Sequence, residues 1–337
     1  MYVQVIMSIL FNRRRDLFPY TLIIILAFFN IVLLYNSLFI GSSVYSSTVL
    51  LDSKDQNYDF LSPYIADLTT KEFLEEQKEI AVYYKPLRIL VADILEEKTE
   101  GDYGFYFEDL NSGAWIGINE KEKFNPGSLI KVTTIASILK KVENGDLNLD
   151  DKLEVLPEDL DYNFGDLALR GAGRALTVDE LIEMTAKESD NTASNVLKRI
   201  VTIDDLVEAS LSMGLPLRTF FKTDSQEANL ISPKEYSNAF RSLYLSSYLR
   251  RPFSQMLLSD LSDTIFNSQL KAGIPSNVKV AHKIGIEEKT GSYHDCGIVY
   301  SNKYYLICIM SKNTNEAEAN RIISKISQTV YNYVTNN

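Results

Sequence analysis

The chain has 337 residues, 45 % of them hydrophobic, enough to enclose a sizeable core in one large or two small domains. A formal net charge of −11, with no basic stripe interleaved with aromatics, argues against nucleic acid as a partner. With two cysteines, Cys296 and Cys308, and no His-Glu-x-x-His, Gly-x-Ser-x-Gly or phosphate-loop motif, neither a disulfide scaffold nor a metal or cofactor is expected.

Residues 17–51 carry no charge, and 21–40 are about one bilayer thickness of mostly apolar side chains. Arg13, Arg14 and Arg15 precede this run, and Asp52 and Asp55 follow it. The arginine excess predicts a cytoplasmic tail at 1–16, a membrane anchor at 17–40 and an extracytoplasmic remainder. The competing reading, a cleaved signal peptide, calls for a shorter apolar region. Residues 41–66, rich in Ser, Tyr and Asp without periodicity, read as a stalk.

The folded part is expected at 67–337. Residues 71–98 show amphipathic spacing, with a break before Pro86. Two short aromatic and β-branched runs, 103–110 and 114–118, flank Asn111-Ser112-Gly113 and predict a hairpin. Pro126 and Gly127 then open a helix. Its Val132, Ile135, Ala136 and Leu139 recur at helical spacing, and Asn144-Gly145 ends it. Residues 146–176 are irregular. Thr177-x-x-Glu180, Thr202-x-x-Asp205 and Ser232-Pro233-Lys234-Glu235 are helix starts. Alternation returns at 278–283, and 296–300 and 304–310 flank Ser301-Asn302-Lys303 as a second hairpin, before a closing helix over 316–334. Pairing Tyr300 with Tyr304 brings Cys296 opposite Cys308, as two buried thiols or, outside the cytoplasm, a disulfide; buried thiols are the expectation favoured here. The order predicts an α+β fold. A five-stranded antiparallel sheet, from about 67–124 and 276–337, is flanked by N- and C-terminal helices, and an all-helical lobe, about 125–275, is inserted.

Ser128 falls in the first turn of its helix, with Lys131 one turn on along the same face. The positive helix end favours a developing alkoxide, and a desolvated, neutral lysine can remove the hydroxyl proton. Ser-x-x-Lys also occurs at Ser137/Lys140, Ser268/Lys271 and Ser276/Lys279, so the spacing alone is not specific. Ser128 stands out through its turn and through two later motifs.

Ser128-x-x-Lys131, Ser189-Asp190-Asn191 and His282-Lys283-Ile284-Gly285, in that order, resemble the motif set of the penicillin-recognising serine enzymes, the class A β-lactamases in particular. The stretches 176–181 and His294-Asp295-Cys296-Gly297 resemble the family as well, and the likeness runs over about 70–337. It implies that Ser128 forms an acyl-enzyme, that Lys131 takes its proton and that Ser189 relays a proton to the leaving nitrogen. Asn191 would bind the substrate amide or Lys131. Lys283, with Gly285 and Ile286, would line the substrate edge, its charge attracting a carboxylate and keeping Lys131 neutral. The backbone N–H groups of Ser128 and Ile286 would form the oxyanion hole. The implied substrate is a small β-lactam or a peptidoglycan stem-peptide-like amide.

Three departures bear on this. Ile284 stands where the family has a hydroxyl, and Lys289-Thr290-Gly291 offers a literal motif in what reads as a turn. The segment 219–231, where a deacylating glutamate is expected, is short; Glu227 is its only candidate, and a solvated loop carboxylate is the reading favoured for it. No arginine follows the third motif, and His294 is read either as a partial substitute or as a structural residue. Slow deacylation would make the chain a D-alanyl-D-alanine peptidase-like penicillin-binding protein, and a non-catalytic wall-binding module is the alternative outside enzymology.

Overall fold

The computed structural model describes residues 58–62, 84–216 and 230–337. The expected tail, anchor and most of the stalk lie outside these, as do 71–83 of the first amphipathic stretch and Glu227. Among the described residues no helix is long and apolar enough to cross a membrane.

The chain opens with α1 (Lys85–Glu96), begun by Pro86 in its first turn. The first hairpin follows as β1 (Asp102–Asp109) and β2 (Trp115–Ile118). A single 3-10 turn, Gly127–Ile130, leads into α2 (Lys131–Asn144), which Gly145 ends in the left-handed conformation at φ +83°. A ribbon of β3 (Lys152–Glu154) and β4 (Ala175–Thr177) was not legible in the sequence, because three-residue strands carry no periodicity. The helices α3 (Val178–Lys187), α4 (Asn191–Lys198), α5 (Ile203–Ser212), α6 (Pro233–Tyr244) and α7 (Arg251–Ser262) complete the lobe. Each of the three expected starts is a reciprocal capping box, Thr177 with Glu180, Thr202 with Asp205 and Ser232 with Glu235. The strands β5 (Lys279–Glu287), β6 (Ser292–Tyr300) and β7 (Tyr304–Lys312) and helix α8 (Glu316–Asn336) close the fold.

The sheet is antiparallel throughout, in the order β2-β1-β7-β6-β5, so the two ends of the chain meet in one sheet and β5 is an edge. Side-chain alternation gives it two buried faces. Phe105, Phe107, Val280, Val299, Ile307 and Ile309 pack with Leu87 and Val91 of α1 and Ile322, Ile326 and Val330 of α8. Tyr106, Ala281, Cys296, Ile298, Cys308 and Met310 pack with Val132, Ile135, Leu139 and the rest of the helical lobe.

Cys296 pairs with Cys308 in the expected register. They form a disulfide rather than the two buried thiols favoured from the sequence, because the register places both sulfurs on one face of adjacent strands. The strand carrying Lys283 also runs further than expected. It continues through Gly285 to Glu287, since the β5–β6 pairing extends to Glu287 opposite Ser292.

Candidate active site

The turn bearing Ser128 is seated on the edge strand. A Cβ at Gly285 would lie 2.5 Å from the Pro126 carbonyl oxygen, and one at Gly127 would lie 2.8 Å from that of Ile286. Only glycine permits this approach, and Gly127 also takes φ +50°. His294 holds the same turn from beneath. Its Nε2 donates to the Asn125 carbonyl (2.6 Å) while Nδ1 accepts from the Ser311 N–H (3.1 Å). These partners require the neutral Nε2–H tautomer, and burial lowers the His294 pKa to about 4. His294 therefore braces the turn and does not replace a substrate-binding arginine.

Lys131 begins α2 with its side chain buried (4 % exposed). Its Nζ donates to the Ser189 carbonyl (2.5 Å) and to Asn191 Oδ1 (2.5 Å), and lies 3.3 Å from Ser189 Oγ. Desolvation above all lowers its pKa to about 7; the Lys198 charge lowers it further, while Asp190 and Asp161 oppose the shift. A neutral amine whose two N–H groups are held by two carbonyl oxygens has its lone pair left over, which is the geometry of a base.

Ser189 sits between the two amines. Lys283 Nζ donates to Ser189 Oγ at 2.7 Å and to the Ile284 carbonyl at 3.3 Å. Complete burial lowers the Lys283 pKa well below the ordinary lysine value, and nearby Lys131 lowers it again. Lys283 Nζ is turned onto Ser189 Oγ, and the lowered pKa of Lys131 comes from desolvation and Lys198. Lys283 reaches the hydrogen-bonded chain through Ser189, whereas Lys289, in the 3-10 turn Glu288–Thr290 between β5 and β6, lines the cavity. Ile284 is buried and offers no hydroxyl.

The backbone of Ser189 is in the left-handed region, φ +57°, unusual for a non-glycine residue. Asp190 holds it there. One carboxylate oxygen caps α4 through the Ala193 N–H (2.8 Å), and the other accepts from the Leu167 N–H (2.9 Å). The Asn191 N–H donates to the Phe164 carbonyl (3.0 Å). Two loops, 161–167 and 189–191, are thereby locked together.

Ser128, Asn163, Phe164, Asn191, Ile286, Glu287, Glu288 and Lys289 line a cavity of about 350 Å³, the size of small-ligand sites. It lies between the edge strand and the helical lobe. Ser128, Asn191 and Ile286 share this cavity directly, and Lys131, Ser189 and Lys283 form the hydrogen-bonded chain behind it. The residues that sequence reasoning missed are Asp161, Asn163 and Phe164. They sit in an irregular stretch, and only the contact with 189–191 brings them to the site. The other three Ser-x-x-Lys pairs are unrelated to it: Lys140 pairs with Glu143, Lys271 lies in the 3-10 turn Leu270–Gly273, and Lys279 is exposed on β5. A Ser-His-Asp triad is not formed either. His282 Nδ1 meets Asp295 (2.8 Å), Asp295 also accepts the Leu270 N–H, and His282 Nε2 has no partner among the described residues.

Compared with known proteins, this arrangement belongs to the serine β-lactamase and penicillin-binding fold. PBP-A matches with a TM-score of 0.67 at 23 % identity, covering 75 % of this chain and 97 % of its own. The L158E mutant of PBP-A, solved as an acyl-enzyme complex with penicillin G, matches equally well. Beta-lactamase VEB-1 of Pseudomonas aeruginosa is 24 % identical over 275 residues, 74 % of this chain and 91 % of that protein. Beta-lactamase L2 of Stenotrophomonas maltophilia is 28 % identical over 203 residues, 57 % of this chain and 66 % of its own. The profile of the beta-lactamase enzyme family matches residues 86–334, and the chain belongs to that family of serine hydrolases.

Proposed function

We propose that the chain is a membrane-anchored, extracytoplasmic hydrolase that opens a β-lactam or peptide-like amide through an acyl-Ser128 intermediate. The observation that carries this reading is the Lys131 amine, buried and held by two carbonyl oxygens one turn from the Ser128 hydroxyl. Ser128 Oγ attacks the carbonyl carbon as its proton passes to Lys131. The oxyanion is met by the N–H groups of Ser128 and Ile286, at the helix start and the free strand edge. The proton then passes from Lys131 through Ser189 Oγ to the nitrogen as the C–N bond breaks, leaving the amine and the acyl-serine. Asn191 orients Lys131 and the substrate amide, and Lys283 holds Ser189 Oγ. Water then releases the acid, and Glu227 is the proposed base for that step. The anchor at 17–40 rests on the apolar run and its preceding arginines.

Fluorescent penicillin or a fluorophosphonate is expected to label the full-length chain but not Ser128→Ala, with an acyl mass on the wild type. Equal labelling of both refutes the assignment. A second reading, a penicillin-binding peptidase that deacylates slowly, draws support from the likeness to PBP-A and from the short segment 219–231. Nitrocefin turnover separates the two: a single burst equal to the enzyme concentration favours the slow enzyme, and sustained turnover lost in Glu227→Gln favours the β-lactamase.

A further inference from the structure

The Asn191 side chain can face Lys131 with either its oxygen or its nitrogen, and only the oxygen gives the amine an acceptor. What selects between them is Asp161. Its Oδ1 accepts from Asn191 Nδ2 (3.1 Å), and a carboxylate, which only accepts, cannot hold the amide the other way round. We infer that Asp161 is a positioning residue of the acylation step, fixing the Asn191 amide so that its oxygen holds the Lys131 amine toward the Ser128 turn.

The carboxylate is itself built in. The same oxygen accepts from the Asn163 N–H (2.8 Å) and Asn163 Nδ2 (2.9 Å), and the Asp161 N–H donates to Thr192 Oγ1 (2.9 Å) on the helix that Asn191 begins. Burial raises the Asp161 pKa, but these hydrogen bonds outweigh it and hold the carboxyl below its ordinary value, so the group is ionised at neutral pH. Its negative charge also favours the protonated form of Lys131. Among the described residues, the titratable groups that bear on Lys131 are Asp161, Asp190, Lys198 of α4 and the Lys283 amine on β5, whose own pKa is lowered by burial. Asp161 thus has two separable effects, orientation through its acceptor and a charge that moves the pH at which Lys131 becomes a base. The inference rests on the acyl-Ser128 reading.

Two variants separate these effects. Asp161→Asn removes the charge but keeps an acceptor oxygen; Asp161→Ala removes both. The acylation rate with saturating fluorescent penicillin is measured on the full-length chain from pH 5 to 9, with thermal melts in parallel. In Asp161→Asn the acid limb is expected about one pH unit lower, with a limiting rate within about threefold of wild type. Asp161→Ala should show the same displaced limb and a limiting rate down about ten- to a hundredfold. An acid limb unmoved in both variants overturns the inference, as does a wild-type limiting rate in Asp161→Ala. A role confined to tying the loop down would lower the melting temperature without moving the limb. Failure of the underlying reading looks different: the wild type itself is not labelled, or Ser128→Ala labels equally, and the inference falls with it.

Discussion

Replacing Lys131 by methionine tests the buried amine without reference to any substrate. The unfolded chain holds this proton up to about pH 10.5, and the native chain releases it near pH 7. Between those values the unfolded state binds more protons, so the wild type gains stability as pH rises. Below pH 7 the full cost of keeping an ammonium in a buried site is present, and it fades as pH climbs through the native pKa. Each pH unit corresponds to about 1.4 kcal/mol, so from pH 7 to pH 9 the wild type should gain about 2–3 kcal/mol that Lys131→Met does not. Against this, methionine leaves the Ser189 carbonyl and Asn191 Oδ1 without their donor, costing about 1–3 kcal/mol each, less where cavity water reaches them. That second cost does not depend on pH. The variant is therefore expected to compare most favourably at pH 6 and to lose ground steadily to pH 9, while showing no acylation. Urea unfolding of both proteins at pH 6, 7, 8 and 9 measures the difference directly. A difference independent of pH would mean that Lys131 keeps an ordinary lysine pKa, and its assignment as the base would fail.

Gly285→Ala should slow acylation about ten- to a hundredfold, because the added Cβ meets Pro126 and Leu129 and pushes the Ser128 turn off the strand; labelling rates at matched fold content check this. Gly165→Ala should cost about 2–4 kcal/mol in urea unfolding, since φ is +86° and the Cβ would fall 2.1 Å from Asp190 Oδ2. His294 is neutral in the native site, and its proton is bound by the unfolded chain from about pH 6.5 but by the native chain only near pH 4. Stability is lost as pH falls through that window, by about 3 kcal/mol, and His294→Gln should flatten the loss in unfolding titrations. Replacing Cys296 and Cys308 together by alanine should cost about 3 kcal/mol, from closing a loop with a sequence separation of 12, and reductant should leave the folded wild type unchanged because the bond is buried.

Much of the fold was legible because its signals are local. Helix starts at Thr177, Thr202 and Ser232 depend on a side chain reaching its own backbone three residues on, and each forms as read. The apolar spacing of α2 and the alternation of β6 and β7 report burial on one face, and the Tyr300–Tyr304 turn was enough to place Cys296 opposite Cys308. Whether those sulfurs bond depends on their separation once the strands are paired and packed, which required the sheet. The length of β5 was misjudged for a similar reason, since Gly285 and Ile286 are held in the strand by pairing with His294 and Tyr293 and by the Ser128 turn packed on them.

The residues of the candidate site divide along the same line. The order of Ser128, Lys131, Ser189, Asn191 and Lys283, and so the family, could be read from the chain because each motif is a short run with its own local context. The protonation of those groups could not. Burial lowers the pKa of both amines, and burial is a property of everything packed around them: the Ser189 turn from one lobe, the strand edge from the other. Nor could Asp161 be found, thirty residues from the amide it orients, in a loop without periodicity. Chemistry-bearing residue types are written in the sequence, but their pKa values and their orientation belong to the cleft that forms only when sheet and helical lobe close on each other.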